Sequence, residues 1–289
     1  MTYRELYDKG VECLKKVGIE EAPLDARLLL EAVCHTNRND LLVHGDKAVE
    51  SAWEQRYLDW IEQRADRIPL QQLTGKQEFM GLEFVVNEHV LIPRQDTEIL
   101  VEEVLKNLHD GMRILDMCTG SGCILISLLH YSNHCMGVGV DISAEALQVA
   151  KENARRLLDA SAIQDDERKL RFVESNLFEG VECGKYEFIV SNPPYIPSAV
   201  CDTLMPEVRE HEPRIALDGS ADGLYFYRRI IEAAPDYLVS GGKLFFEIGY
   251  DQAEAVKRLM QDAGFREVCV VKDYAGLDRV VYGTYIVEK

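Results

Sequence analysis

Five residues, Ser191-Asn192-Pro193-Pro194-Tyr195, combine types that can do chemistry on a nitrogen atom. Consecutive prolines fix φ and remove two N–H donors. What remains for a ligand is acceptors: the Asn192 side-chain oxygen and the backbone carbonyls. An amino group with two hydrogens matches that array. Asn192 Oδ1 and the Pro193 carbonyl can each accept one N–H and hold the nitrogen roughly 3 Å from an electrophilic carbon. Amide- and aniline-like nitrogens are poor nucleophiles. Fixed acceptors stabilise the positive charge that builds on them during alkylation. No strong base is required, because the alkylated cation sheds its proton readily. Tyr195 offers a ring to cover a planar group, and Pro194 completes the substrate-facing set. The plainer alternative is that Pro-Pro ends a strand and Asn192 sits in a turn.

A second constellation lies upstream. The strand-like MRILDM ends at Asp116-Met117 and runs into Cys118-Thr119-Gly120-Ser121-Gly122, after which ILISLLH reads as a helix. Glycines at a strand-to-helix turn let a ligand approach the backbone closely. Asp141 closes the next strand, 19 residues after Gly122, where a carboxylate can accept from both ribose hydroxyls of an adenosine. A dinucleotide site usually carries a third glycine and seats a pyrophosphate on the helix N-terminus. Here Leu125 fills that place, and an acid, Asp116, precedes the glycines. A carboxylate suits a ligand with an ammonium group better than one with phosphates, which favours S-adenosylmethionine over NAD. The alternative is a tight turn that needs glycine for geometry alone, with Asp141 as a helix cap.

The elements that must position these residues fall into two halves. The first 75 or so residues read as helical, over 2–17, 23–35 with Pro23 near the start, and 47–66. Trp53, Tyr57, Trp60 and Ile61 of the last share one stripe, read as core. Residues 78–92 show partial period-two alternation and predict a β-hairpin joining the halves, with Asn87-Glu88 as a turn. Asp96 or Thr97 is then placed to cap a helix over 97–108. From 112 onward, apolar runs at 112–117, 136–142, 170–174, 186–190, 243–248, 267–272 and 280–287 alternate with helical stretches. That pattern predicts βα units and a mostly parallel sheet. The Asn192 turn follows the fourth strand, near the expected switch point of such a sheet.

Composition narrows the class. The chain has 289 residues, 47% apolar, with 50 acidic against 32 basic side chains and a formal charge of −18. Phosphate-neutralising proteins usually show a basic face. The densest basic stretch (Arg155, Arg156, Arg168, Lys169, Arg171) is broken by Asp159, Asp165, Asp166 and Glu167, so nucleic acid is not an expected partner. No apolar run approaches the roughly 18–20 residues of a membrane helix, so no membrane is expected either. The N-terminal MTYRELYDKGVECLKK lacks an apolar signal core, and its acids argue against a transit peptide, so a cytoplasmic protein is expected. The eight cysteines, Cys183 among them, form no C-x-x-C pair and read as free thiols. His130, His134 and Cys135 lie close in sequence but offer no fourth ligand, so no metal site is expected.

With these residues in view, the sequence resembles the protein-(glutamine-N5) methyltransferases of the HemK/PrmC type. The resemblance covers nearly the whole chain. It rests on Leu24-Asp25-Ala26-Arg27-Leu28-Leu29-Leu30, Pro69-Leu70-Gln71-Gln72-Leu73-Thr74-Gly75, Leu91-Ile92-Pro93-Arg94-Gln95-Asp96-Thr97-Glu98 and Asn192-Pro193-Pro194-Tyr195. Glu212-Pro213, Glu247-Ile248-Gly249 and Asp273-Tyr274 fit as well. Three positions depart from the family pattern: Gln95 for proline, Cys118 for glycine, and Asn176 for the acid near the adenine, followed by Leu177 where a ring is common.

The resemblance implies a Rossmann-like class I S-adenosylmethionine-dependent methyltransferase domain over 97–289. It also implies a small helical substrate-docking domain over 1–75 and a β-hairpin linker over 76–96. The implied reaction passes a methyl group to the side-chain amide of the glutamine in the Gly-Gly-Gln loop of class I peptide chain release factors, with S-adenosylhomocysteine as product. Asn192, Pro193 and Tyr195 would be catalytic. Asp116, Cys118, Thr119, Gly120, Ser121, Gly122, Asp141, Asn176, Leu177 and Asn192 would hold the cofactor. An adenine-N6 methyltransferase acting on a flipped base uses the same tetrapeptide and is the rival reading. A non-enzymatic binding module that keeps the fold is a second rival.

Overall fold

The computed structural model describes residues 1–158, 169–182 and 184–287. Cys183, Arg168 and the acids Asp159, Asp165, Asp166 and Glu167 lie outside the described residues. The chain divides into two compact units, one of Met1–Lys76 with Met205–His211, the other of Gln77–Leu204 with the chain from Glu212 onward.

The first unit is helical: α1 (Tyr3–Lys16), α2 (Ala22–Cys34), α3 (Arg38–Val43), α4 (Ser51–Ala65) and α5 (Leu70–Thr74). Thr2 and Glu5 form a reciprocal capping box on α1. Pro23 stands in the first turn of α2, where a missing N–H costs nothing. Leu6, Leu14, Leu29, Leu30, Tyr57 and Ile61 make the core, while Trp53 and Trp60 are half-buried at its margin. A Cβ on Gly10 of α1 would stand 2.0 Å from the Tyr57 hydroxyl, so glycine is what lets α1 meet α4 there. Arg64, on α4, is buried between Asp25 at 2.8 Å and Glu207 at 3.1 Å. That ion cluster fastens segment 205–211 to the helices.

The second unit opens with a hairpin of β1 (Lys76–Phe79) and β2 (Leu82–Val85). Its turn is Met80-Gly81, both with φ near +50 to +70°, the conformation that suits a two-residue hairpin loop. The expected turn at Asn87-Glu88 is therefore corrected. Asn87 instead accepts from the His89 N–H in a local side-chain turn after the hairpin. The helix α6 (Gln95–Asn107) has Arg94 at its cap position with no side-chain bond, which corrects the expected cap at Asp96 or Thr97. Thr97 is buried inside the first turn.

There follow β3 (Arg113–Met117), α7 (Cys123–His130), β4 (Met136–Asp141), α8 (Ala144–Leu157), β5 (Leu170–Glu174) and β6 (Tyr186–Ser191). Beyond the short α9 (Ser198–Cys201), and α10 (Pro206–His211) of the first unit, come α11 (Tyr225–Tyr237), β7 (Leu238–Glu247), α12 (Ala253–Asp262), β8 (Arg266–Lys272) and β9 (Asp278–Thr284). The seven-stranded sheet runs β5-β4-β3-β6-β7-β9-β8. Neighbours from β5 to β7 are parallel, and β9 is antiparallel to both β7 and β8. The expected α/β sheet is thus mostly parallel with an antiparallel edge. Successive strand residues serve opposite faces. Ile114, Phe188 and Phe245 pack with α6 and α7, whereas Leu115, Ile189 and Phe246 pack with α11 and α12. Burial on both faces explains why these strands read as continuous apolar runs.

None of the described helices is long and apolar enough to cross a membrane.

Candidate active site

Strand register puts the chemistry in one row. Met117 pairs with Val140 and with Ser191, and Ser191 pairs with Phe246. The next residues, Cys118, Asp141, Asn192 and Glu247, therefore stand side by side at the carboxyl edge. β3 and β6 are adjacent, and the sheet's order reverses between them, which is where open α/β sheets bind ligands. A cavity of about 260 Å³ opens over this row. Of the expected residues, Cys118, Thr119, Gly120, Ser121, Asp141, Asn176, Leu177, Asn192 and Pro194 line it. Asp116, Gly122, Pro193 and Tyr195 are not among its lining residues.

The glycine turn is shaped by positive φ at Cys118 (60°), Gly120 (54°) and Gly122 (80°). The two glycines differ in surroundings. A Cβ on Gly122 would meet Ile126 Cδ1 at 2.8 Å and Ala150 Cβ at 3.2 Å, whereas one on Gly120 would meet nothing within 4 Å. Gly122 is needed for helix packing, and Gly120 leaves an open face. Asp141 holds the turn by accepting from the Gly120 N–H at 2.8 Å and the Ser143 N–H at 3.0 Å. A carboxylate offers about four acceptor sites, so capacity remains for a hydroxyl in the cavity. Burial pushes the Asp141 carboxyl up, against the pull of those N–H groups. Asn153, buried on α8, braces the other side: its Nδ2 donates to the Ser121 carbonyl, and it exchanges bonds with the Val85 backbone.

Asp116 is fully buried, and its Oδ2 accepts from the Thr119 hydroxyl at 2.6 Å. Burial, only partly offset by that bond, pushes its pKa up to about 7. At the far end of the cavity Leu177 has φ 53°. Asn176 is held between Glu179, to which Nδ2 donates at 2.7 Å, and Arg229, which donates to Oδ1 at 3.3 Å. Exposed Ile142 and Tyr225 give this end apolar surface. Open glycine backbone, a part-satisfied carboxylate and an apolar slot fit an adenosine-bearing cofactor without phosphates.

Asn192 is half-buried, and its Nδ2 donates to Thr97 Oγ1 at 3.3 Å. That bond turns Oδ1 away from Thr97 as a free acceptor. The Tyr195 hydroxyl donates to Glu247 Oε1 at 3.3 Å, and the Tyr195 carbonyl accepts from Gln252 Nε2 at 3.0 Å. Gly223 has φ 72°, and a Cβ there would stand 2.3 Å from that carbonyl. The linker is tied in by Glu212, which accepts from the Ile92 N–H at 3.1 Å and pairs with Arg94. Sequence reasoning did not reach Asn153, Gln252 or Arg279, and gave Thr97 and Glu247 no part in the site. Glu247 had a usable signal: like Asp116, it is an acid closing an apolar strand.

A model of the PrmC N-terminal domain matches residues 5–75, and one of the methyltransferase small domain matches residues 94–205. A solved methyltransferase from Pyrococcus furiosus is 18% identical, covers 78% of this chain and all of its own, and superposes with a TM-score of 0.53. That likeness speaks to the fold alone. Together the sheet, the site and these matches define a class I S-adenosylmethionine-dependent methyltransferase. Release factor glutamine methyltransferases of Geobacter sulfurreducens and Moorella thermoacetica are each 42% identical to the chain over 282 residues. The alignments cover 98% and 96% of this chain, and 96% and 97% of the relatives. The chain belongs to the release factor glutamine methyltransferase family.

Proposed function

We propose that the chain methylates the side-chain amide nitrogen of the Gly-Gly-Gln glutamine in class I peptide chain release factors. The observation that carries this reading is the Asn192–Thr97 bond, which presents Asn192 Oδ1 as a fixed acceptor in the row with Cys118 and Asp141. S-adenosylmethionine, when bound, supplies an electrophilic methyl group and leaves as S-adenosylhomocysteine. Gly120, Asp141, Asn176 and Leu177 would hold it, with Cys118, Thr119 and Ser121 at the turn. Asp116 would act through Thr119, and Gly122 by seating α7.

Asn192 Oδ1 and the Pro193 carbonyl accept the two amide hydrogens and hold the nitrogen in line. As charge builds on that nitrogen, both acceptors strengthen, which is the differential binding that lowers the barrier. The alkylated amide then loses a proton to solvent. Pro194 and Tyr195 shape the slot for the planar amide.

We assign protein docking to residues 1–75, a linker to 76–96 and the methyltransferase to 97–289, working in the cytoplasm. Neither nucleic acid nor membrane is a partner in this reading, which the charge of −18 supports.

The test is a transfer assay with labelled S-adenosylmethionine and purified release factor, followed by peptide mass spectrometry. One methyl on the Gly-Gly-Gln glutamine is expected. Label on duplex DNA instead, with salt-dependent binding, would transfer the site to the adenine reading.

A further inference from the structure

We propose that Glu247 is a positioning residue that holds both ends of the Asn-Pro-Pro-Tyr turn, Tyr195 through its hydroxyl and Asn192 through Thr97. This rests on the methyl-transfer reading of that turn. Glu247 ends β7 at the level of Asn192, because Phe246 pairs with Ser191. It is 2% exposed and touches no substrate in the proposed reading. Its Oε1 accepts the Tyr195 hydroxyl at 3.3 Å, and its Oε2 is buried without a hydrogen-bond partner among the described residues.

Thr97, in the first turn of α6, is buried and bonded to Asn192. Its hydroxyl oxygen accepts Asn192 Nδ2, which leaves its single proton to donate. Glu247 Oε2, buried and without a partner among the described residues, is the acceptor we assign to that proton, and a bond from Thr97 lowers the cost of charge there. A hydroxyl that accepts from one neighbour and donates to the other links the carboxyl to the amide. Asn192 Nδ2 is then held toward Thr97, and Oδ1 toward the cavity.

The surroundings keep Glu247 itself in place. The Tyr227 hydroxyl donates to its backbone carbonyl at 2.9 Å. Arg279, which favours the charged carboxyl, is fixed by Asp273 and Asp96 at 3.1 Å each. The backbone of Glu247 pairs with Val280 of β9, which leaves its carboxyl free of any part in strand pairing. Its chemistry is that of an acceptor shared by the two ends of the site.

Glu247→Gln keeps an acceptor for Tyr195 and similar volume. Glu247→Met keeps the volume and removes both acceptors. Three quantities are measured: kcat for methyl transfer to release factor, S-adenosylhomocysteine Kd, and the Asn192 side-chain amide resonance in 15N-labelled protein, assigned by its loss in Asn192→Ala. The methionine variant is expected to lose about 10–100-fold in kcat, with Kd within about threefold and the Asn192 resonance moved. The glutamine variant is expected to recover most of the rate and the resonance position. Tyr195→Phe combined with Glu247→Met should be far from additive in kcat.

Equal losses in the two Glu247 variants, additivity with Tyr195→Phe, or an unmoved Asn192 resonance in Glu247→Met would each overturn the proposal. The resonance needs no turnover. A wild-type protein that methylates no glutamine would sink the functional reading and leave the positioning role to be judged by that signal.

Discussion

In the proposed reaction Asn192 is the residue on which the chemistry turns, because its amide nitrogen is committed to Thr97 and its oxygen is left to accept. Asn192→Ala removes the acceptor that strengthens as charge develops. It should lower kcat by about 10²–10³ with cofactor Kd changed only a few-fold, measured by single-turnover transfer and by calorimetry. Near-normal transfer would remove Asn192 from the mechanism. Cys118 carries a separate consequence. Its φ of 60° is the left-handed region, which costs a side-chain-bearing residue about 1–2 kcal/mol. Glycine at this position pays no such strain. Cys118→Gly should therefore stabilise the protein by about 0.5–1 kcal/mol in urea unfolding, after the loss of the thiol's packing. A lower midpoint would mean that the thiol contributes more than the strain removes.

At the scale of elements, the glycine turn separates two jobs that one motif conflates. Gly122→Ala puts a methyl against Ile126 and Ala150 at a φ of 80°, so strain and overpacking together should cost about 2–4 kcal/mol. Gly120→Ala meets open space at a φ of 54° and should cost only about 1 kcal/mol, yet its methyl enters the cavity. Thermal melts and cofactor titration should separate the pair, with Gly122→Ala failing chiefly in stability and Gly120→Ala chiefly in affinity. The reverse pattern would refute the assignment. This contrast also marks what could be read in the chain. The glycine turn and the tetrapeptide were legible because each is contiguous and each follows an apolar strand. Thr97, Asn153, Glu247, Gln252 and Arg279 were not, because they come from α6, α8, β7, the start of α12 and β9 and meet only through the sheet's register. The hairpin turn was missed because Met80 adopts a φ that methionine rarely takes, while Asn87 carried the stronger turn propensity and spent it on a local bend.

For the whole molecule, buried acids set an uncommon pH dependence. Burial pushes Asp116 and Glu247 each up to about 7, and Asp141 is raised as well. In the unfolded chain such carboxyls titrate near about 4. Between those values the native state holds protons that the unfolded chain has released, so stability falls as pH rises through the window and levels above it. Asp273 and Glu207 work in the opposite sense. Asp273 is lowered by its bonds to the Leu277 and Ala275 N–H groups and to Arg279. Glu207 is pushed up by burial but drawn below its usual value overall by bonds to its own backbone, Arg67 and Arg64. Their stabilisation is lost only as pH falls below about 4. The melting temperature should therefore peak near about pH 4 and decline toward about pH 7.5. A formal charge of −18 adds self-repulsion in the same direction, but the two contributions respond to different perturbations. Salt at about 0.3 M screens exposed charges and should lift the neutral end of the curve. Asp116→Asn removes a buried proton-binding group and should flatten the slope even in high salt. A slope abolished by salt and indifferent to Asp116→Asn would assign the whole effect to the surface and return Asp116 to an ordinary carboxylate.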